Sequence, residues 1–277
     1  RQEKPLAILV DSVRQVGELA FCSETEANWL TGAHRPIVLL KKKDTLLWPW
    51  IAPDNPRIGI MLPNNGMQAL ITRAMGEPMV ATSANRRGDA IAADLNEVLS
   101  WLTQGISGIC YHDIPLWQVQ DDSVLQMLRD GRLFFRRARG FANEVLPAPI
   151  LAQHSAKSES LLGQSERNCL GNGALLKNTV ALRIGSEVLL SQYIGELENV
   201  SVINRHEQIK QRLETLCNFR PDAECRDAHP ESESDGFNNC RQFEILHHEA
   251  HVAALLAEHE ISTPALVAAW DGLGYGP

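Results

Sequence analysis

The chain has 277 residues, 44% of them hydrophobic, which is enough to bury one large core or two of ordinary size and excludes a disordered protein. Its 26 basic residues are outnumbered by 34 acidic ones, so a net charge of −8 excludes nonspecific attraction to nucleic acid while leaving room for a local basic site. No apolar stretch approaches the roughly 20 residues that cross a bilayer and no signal-peptide pattern opens the chain, so membrane residence is not expected.

In chain order, short β-rich apolar runs alternate with helical stretches. Strands are expected at 6–10, 36–40, 58–62 and 79–81, with helices at 12–20 and 24–30. Such alternation reads as an α/β domain. Asp121-Asp122-Ser123 reads as the cap of a helix over 124–129, or as a partner for the arginines that follow the strand-like stretch 133–140. After Pro147-Ala-Pro149 the chain turns polar and serine-rich. The domains expected are therefore 1–150, a linker at 151–166, and 167–277. Strands at 169–172, 179–184 and 187–193 open the second domain, the last two joined by a two-residue hairpin turn at Gly185-Ser186. A helix over 199–216, a short strand at 244–246 and a helix over 247–259 follow, and 265–270 reads as a buried strand delivering Asp271 into a glycine-rich turn.

Six cysteines, at 22, 110, 169, 217, 225 and 240, form no CxxC pair. They fit reduced thiols in a cytoplasmic protein better than a disulfide scaffold or a zinc knuckle. The sequence opens without an initiator methionine and stops in what reads as the middle of a loop, so both ends read as cut.

The sharpest local signal is His247-His248-Glu249-Ala250-His251. Residues four apart share one face of a helix, so His247 and His251 can grip one metal ion while His248 points elsewhere. Asp271, at the end of the next expected strand, is the natural third ligand; zinc and iron both accept two imidazoles and a carboxylate. Ordinary helix-terminal histidines are the competing reading. Gly272 and Gly274 can let backbone N–H groups approach a phosphate, or simply turn the chain. Thr82, Ser83 and Asn85 after the 79–81 run can hold phosphate or ribose oxygens with Arg137 or Arg139 balancing the charge, or can make a cap or Asx turn. Lys4 is ambiguous in the same way. Asp227-Ala228-His229-Pro230 can bring an acid or a supporting histidine to the metal, or form a turn around a satisfied histidine.

Taken in order, these pieces resemble the HypF family of carbamoyltransferases. Lys4-Pro5-Leu6-Ala7, Arg35-Pro36-Ile37-Val38-Leu39-Leu40, Ile58-Gly59-Ile60-Met61-Leu62-Pro63, Thr82-Ser83-Ala84-Asn85, Asp121-Asp122-Ser123-Val124 and Arg136-Arg137-Ala138-Arg139-Gly140 look like the later part of its YrdC-like domain. Leu175-Leu176-Lys177-Asn178-Thr179, the run from Leu190 to Leu197, Asp227-Ala228-His229-Pro230, His247-His248-Glu249-Ala250-His251 and Asp271-Gly272-Leu273-Gly274-Tyr275-Gly276 are similar to the opening of its TsaD-like domain, an actin-type fold. The resemblance implies a partial YrdC-like α/β domain followed by the opening of a TsaD-like one, within an enzyme that also has an acylphosphatase domain and zinc fingers.

The same resemblance implies a cytoplasmic enzyme of nickel–iron hydrogenase maturation. Carbamoyl phosphate is hydrolysed, the carbamate is adenylated with ATP, and the carbamoyl group passes to a C-terminal cysteine of HypE, on the way to the cyanide ligands of the hydrogenase. By that carry-over Lys4, Ser83, Asn85, Arg137 and Arg139 hold ATP, and His247, His251 and Asp271 hold a divalent metal. The region alone is expected to be inactive. Ile114 and Val119 stand where the family places arginines, and Ser232 where an aromatic follows the His-Pro pair. The competing expectations are a small-molecule O-carbamoyltransferase, in which the two modules would come in the reverse order, and a noncatalytic binding module of the same fold.

Overall fold

The computed structural model describes residues 6–44, 48–86, 88–101, 105–114, 116–142, 145–147, 168–232, 240–271 and 275. They form two compact units, Arg1–Arg86 with Ile91–Ala142, and Arg87–Ala90 with Asn143–Pro277.

The first unit runs β1 (Ala7–Leu9), α1 (Val13–Leu19), β2 (Ala20–Phe21), α2 (Glu24–Thr31), β3 (Ile37–Lys42), α3 (Trp48–Ile51), β4 (Arg57–Met61), α4 (Gly66–Met75), β5 (Met79–Ala81), α5 (Leu95–Leu99), β6 (Val124–Leu128) and β7 (Gly131–Arg136). Its mixed sheet has the order β5-β1-β4-β3-β6-β7, with β2 paired to β3. β4 is central and buried along nearly its whole length, as its unbroken apolar run requires of a strand covered on both faces. Ile8, Val38, Leu40, Ile58, Ile60 and Leu125 from the sheet pack with Val16, Leu19 and Leu30 from the helices. Each such side chain contributes about 1.5–3 kcal/mol by leaving water. α2 starts where the sequence provides a reciprocal cap: Ser23 accepts from the Glu26 amide while Glu26 accepts from the Ser23 amide.

One expected helix is a strand. Residues 124–128 pair in parallel with β3 and antiparallel with β7. Ser123, expected as a helix cap, is fully buried; its hydroxyl donates to the Arg139 carbonyl at 2.9 Å and accepts from the Ala138 amide at 2.8 Å. Sheet partners on both sides overrode a weak helical propensity. Burial at Asp121, Ser123 and Leu125 follows the two-residue period of a strand.

The second unit contains β8 (Val145–Pro147), β9 (Asn168–Gly171), β10 (Ala181–Ile184), β11 (Glu187–Leu190), α6 (Val200–Leu216), β12 (Ala223–Asp227), β13 (Arg241–Ile245) and α7 (His247–Glu258). Its sheet has the order β13-β12-β9-β10-β11-β8. β9, β10 and β11 form the expected antiparallel meander, turning at Gly185 with φ 62°. β12 then joins β9 in parallel, and β13 joins β12 in parallel. α6, capped by Asn199, buries Val202, His206, Ile209, Lys210 and Leu213, one face of the helix, and packs Val202, Ile209 and Leu213 with Leu170, Leu182 and Ile194. β8 pairs with β11, so this sheet takes its edge strand from residues ahead of the expected linker. The linker itself, 151–166, lies outside the described residues.

The expected strand at 265–270 does not form. These residues pair with no other described strand, and Leu266 and Trp270 are almost fully exposed. A buried strand needs ladder partners and covering layers, and none of the described residues supplies them for this run. Among the described residues no helix is long and apolar enough to cross a membrane.

Candidate functional site

α7 begins at His247, two residues beyond the last register position of β13. The helical period brings His251 to the same face, with the two ring centroids 4.8 Å apart and inclined at 74°. His248 is directed away, beside Glu249, Val252, Leu256 and Val267. Although 265–270 is not a strand, the chain still returns Asp271 to the helix. Its Oδ2 lies 2.8 Å from His247 Nε2 and 3.8 Å from His251 Nε2, and the two Nε2 atoms are 3.1 Å apart. All three donor atoms fall within 4.8 Å of one another.

The chemistry of this donor set suits a cation. His247 Nδ1 lies 2.5 Å from Asp227 Oδ2, and a carboxylate oxygen only accepts, so Nδ1 carries a hydrogen there. Nε2, 2.8 Å from Asp271 Oδ2 and 3.1 Å from His251 Nε2, is then the nitrogen that a cation would bind in place of a hydrogen. Two donors at about 2.0–2.1 Å from a tetrahedral zinc stand roughly 3.4 Å apart. The observed 2.8, 3.1 and 3.8 Å separations bracket that value.

In Asp227-Ala228-His229-Pro230, Asp227 lies against the His247 imidazole. His229 closes a turn, its Nδ1 accepting from the Glu231 amide at 3.2 Å, with its ring against Tyr275. The sequence carried a signal for this choice: along β12 the side chains of Cys225 and Asp227 share one face, while His229 lies beyond the strand.

The first-unit candidates fall into two groups. Thr82 and Ser83 are exposed at the end of β5, where Ser83 Oγ donates to Asn85 Oδ1 at 2.5 Å and the Asn85 amide donates to the Ser83 carbonyl, the local turn foreseen as the alternative to a ligand site. Arg137 and Arg139 follow β7. β5 and β7 are the opposite edges of the sheet, five strand spacings or about 24 Å apart measured across it. Their carboxyl ends also lie at opposite ends of the sheet, since β5 ends opposite Ala7 of β1 and β7 ends opposite Val124 of β6. Arg139 is committed locally: its guanidinium binds Asp122 Oδ1 at 2.7 and 3.0 Å and the carbonyls of His34 and Arg35 at 3.0 and 2.7 Å. Sequence spacing gave no sign of that role, because His34 and Arg35 are more than a hundred residues away. Lys4, Gly272 and Gly274 lie outside the described residues, and Ile114 is exposed.

Known proteins resemble the chain throughout. The Sua5/YciO/YrdC family model, described as telomere recombination, matches residues 1–138, and the HypF Kae1-like domain model matches residues 164–258. Carbamoyltransferase HypF of Synechocystis sp. is 34% identical over 281 residues, covering 100% of this chain and 35% of the relative. The HypF of Rhizobium leguminosarum bv. viciae is 32% identical, covering 99% of this chain and 36% of its own length. A crystal structure of full-length HypF in its phosphate- and nucleotide-bound form superposes with a TM-score of 0.88 at 28% identity, over 100% of this chain and 42% of that one. A crystal structure of T. kodakarensis HypF gives a TM-score of 0.78 at 27% identity, over 94% of this chain and 34% of that one. The chain spans about a third of the length of the curated relatives it matches. With a YrdC-like region followed by a Kae1-like one, in that order and along its whole length, the chain belongs to the HypF carbamoyltransferase family.

Proposed function

We propose that the protein is an ATP-dependent carbamoyltransferase of nickel–iron hydrogenase maturation, which converts carbamoyl phosphate to carbamoyl-adenylate and passes the carbamoyl group to the C-terminal cysteine of a HypE-type acceptor. The observation that carries this reading is the convergence of His247, His251 and Asp271 in a Kae1-like region that follows a YrdC-like one. Carbamate is a poor acyl donor because its anionic oxygen leaves badly, whereas AMP leaves readily from the mixed anhydride. A divalent cation, zinc or iron, held by the three side chains would polarise the phosphate or carbonyl oxygens of that anhydride. The residues of this chain would bind and orient it. His247 and His251 would supply nitrogen donors and Asp271 a charge-balancing oxygen, and glycine at 272 and 274 has no Cβ to block an approaching phosphate.

For the nucleotide we assign Lys4, Thr82, Ser83 and Asn85; Arg137 follows the opposite edge strand and is assigned to the nucleotide by the family resemblance alone. Arg139 reaches a phosphate only by giving up Asp122 and two carbonyls. The six free cysteines agree with a reducing compartment, the cytoplasm. A second reading, a noncatalytic binding module, is favoured by Ile114 and Val119, which leave a polyanionic substrate two guanidinium groups short of the family pattern. Exchange of labelled pyrophosphate into ATP by the intact protein separates the two. Exchange that depends on carbamoyl phosphate is expected; a rate equal to the background without carbamoyl phosphate would leave only the binding module.

A further inference from the structure

We infer that Asp227 is a positioning residue for His247, fixing the ring so that Nε2 faces the cation; this rests on the metal reading above. Asp227 ends β12 with its side chain only 8% exposed. One carboxylate oxygen, Oδ1, accepts the His229 amide at 2.9 Å, and the Ala228 amide donates to the Ile245 carbonyl at 2.9 Å. The turn after β12 is thereby tied to both the carboxylate and β13, which leaves Oδ2 aimed at His247 Nδ1, 2.5 Å away. The register makes this possible. Asp227 stands opposite Ile245, and His247 follows two residues later on the neighbouring strand's continuation.

The contact matters because helix geometry sets where the His247 side chain starts but not the angle of its ring, which needs a separate constraint. A short hydrogen bond from a nearly buried carboxylate supplies that constraint at the residue where it counts. It also keeps a hydrogen on Nδ1, so that Nε2 is the nitrogen left for a metal, and makes that nitrogen a better donor to it. The two imidazoles are then unequal. His247 is a fixed ligand, 24% exposed and held from behind, whereas His251 is 58% exposed and its described partners meet it only through Nε2. A cation-binding face built this way has one rigid donor on the sheet side and one adaptable donor toward solvent, so loss of Asp227 acts through His247 alone.

The test uses the intact protein, zinc as the probe, and two variants. In Asp227→Ala the orienting acceptor is gone, and zinc affinity measured by calorimetry is expected to fall roughly 10–100-fold. In Asp227→Asn, which keeps the size of the side chain and one of its two acceptor oxygens, enough to hold the turn through the His229 amide, an intermediate loss of about 10-fold is expected. Nitrogen-15 shifts of the His247 ring in the metal-free protein give a second readout. Wild type is expected to keep Nδ1 protonated, whereas in Asp227→Ala the hydrogen moves toward Nε2, beside Asp271, with Asp227→Asn between the two. Equal zinc affinity in all three proteins overturns the positioning role while leaving the metal reading intact. Absence of zinc binding to wild type overturns the metal reading instead, and the ring shifts then decide the positioning role: an unchanged tautomer in Asp227→Ala refutes it.

Discussion

Arg139 of the first unit and His247 of the second are both charged or polar groups singled out by sequence, yet their surroundings treat them oppositely. Arg139 spends its guanidinium on Asp122 and on the carbonyls of His34 and Arg35, bracing a turn in which Arg35 takes a left-handed φ of 46°. His247 has one nitrogen held by Asp227, while the other is presented with two further donors toward a common point. The contrast teaches that a functional residue type is not yet a functional site. What distinguishes the two is whether lone pairs or charges are left facing one another for a ligand to reconcile.

That comparison can be broken by substitution. A yardstick for pure stability comes first: Ile60→Ala, which empties a fully buried position on β4, is expected to cost about 2–5 kcal/mol in denaturant unfolding without changing zinc affinity. His251→Ala should do the reverse. Zinc affinity is expected to drop at least about 100-fold, or roughly 2.8 kcal/mol, with unfolding moved by less than about 0.5 kcal/mol because the side chain is largely exposed. Arg139→Ala should behave like the core variant rather than the histidine variant, losing roughly 2 kcal/mol of stability through its charged hydrogen bonds and leaving zinc binding alone. A zinc defect in Arg139→Ala, or a stability defect in His251→Ala as large as in Ile60→Ala, would erase the distinction.

The smallest expected effect concerns α6. Burial raises the Glu214 carboxyl from 4.5 to about 6. Between those values the folded protein keeps a proton that the unfolded chain releases, so stability falls as pH rises through that window. Glu214→Gln removes the penalty. The variant should gain under about 1 kcal/mol over wild type above pH 6, a modest figure because solvent screens the site, and the difference should vanish below pH 4.5. A constant offset at every pH would assign the effect to packing.

How much of this was legible in the sequence depends on how local each signal was. The His247 and His251 pair was readable because helix periodicity alone puts residues four apart on one face. The meander β9–β11 and the helix α6 were readable for the same reason, through alternation, a glycine turn and an apolar stripe. Residues 124–128 were not, since Val-Leu-Gln-Met-Leu suits either period and only β3 and β7 decide it. Residues 265–270 have the composition of a buried strand, but burial is supplied by neighbours, and Leu266 and Trp270 find none among the described residues. Arg139 reads as a phosphate-binding group in the sequence because its acceptors at His34 and Arg35 are distant along the chain. Asp271 reached the helix as expected by a path that was not foreseen.

The central claim is that the imidazoles of α7 and the carboxylate of Asp271 share a divalent ion. Tightly bound metal should therefore be counted by mass spectrometry in the intact protein and in the variant carrying both His247→Ala and His251→Ala, after identical dialysis. The double variant is expected to hold one equivalent less zinc or iron than wild type. Equal metal content in the two proteins would contradict the assignment.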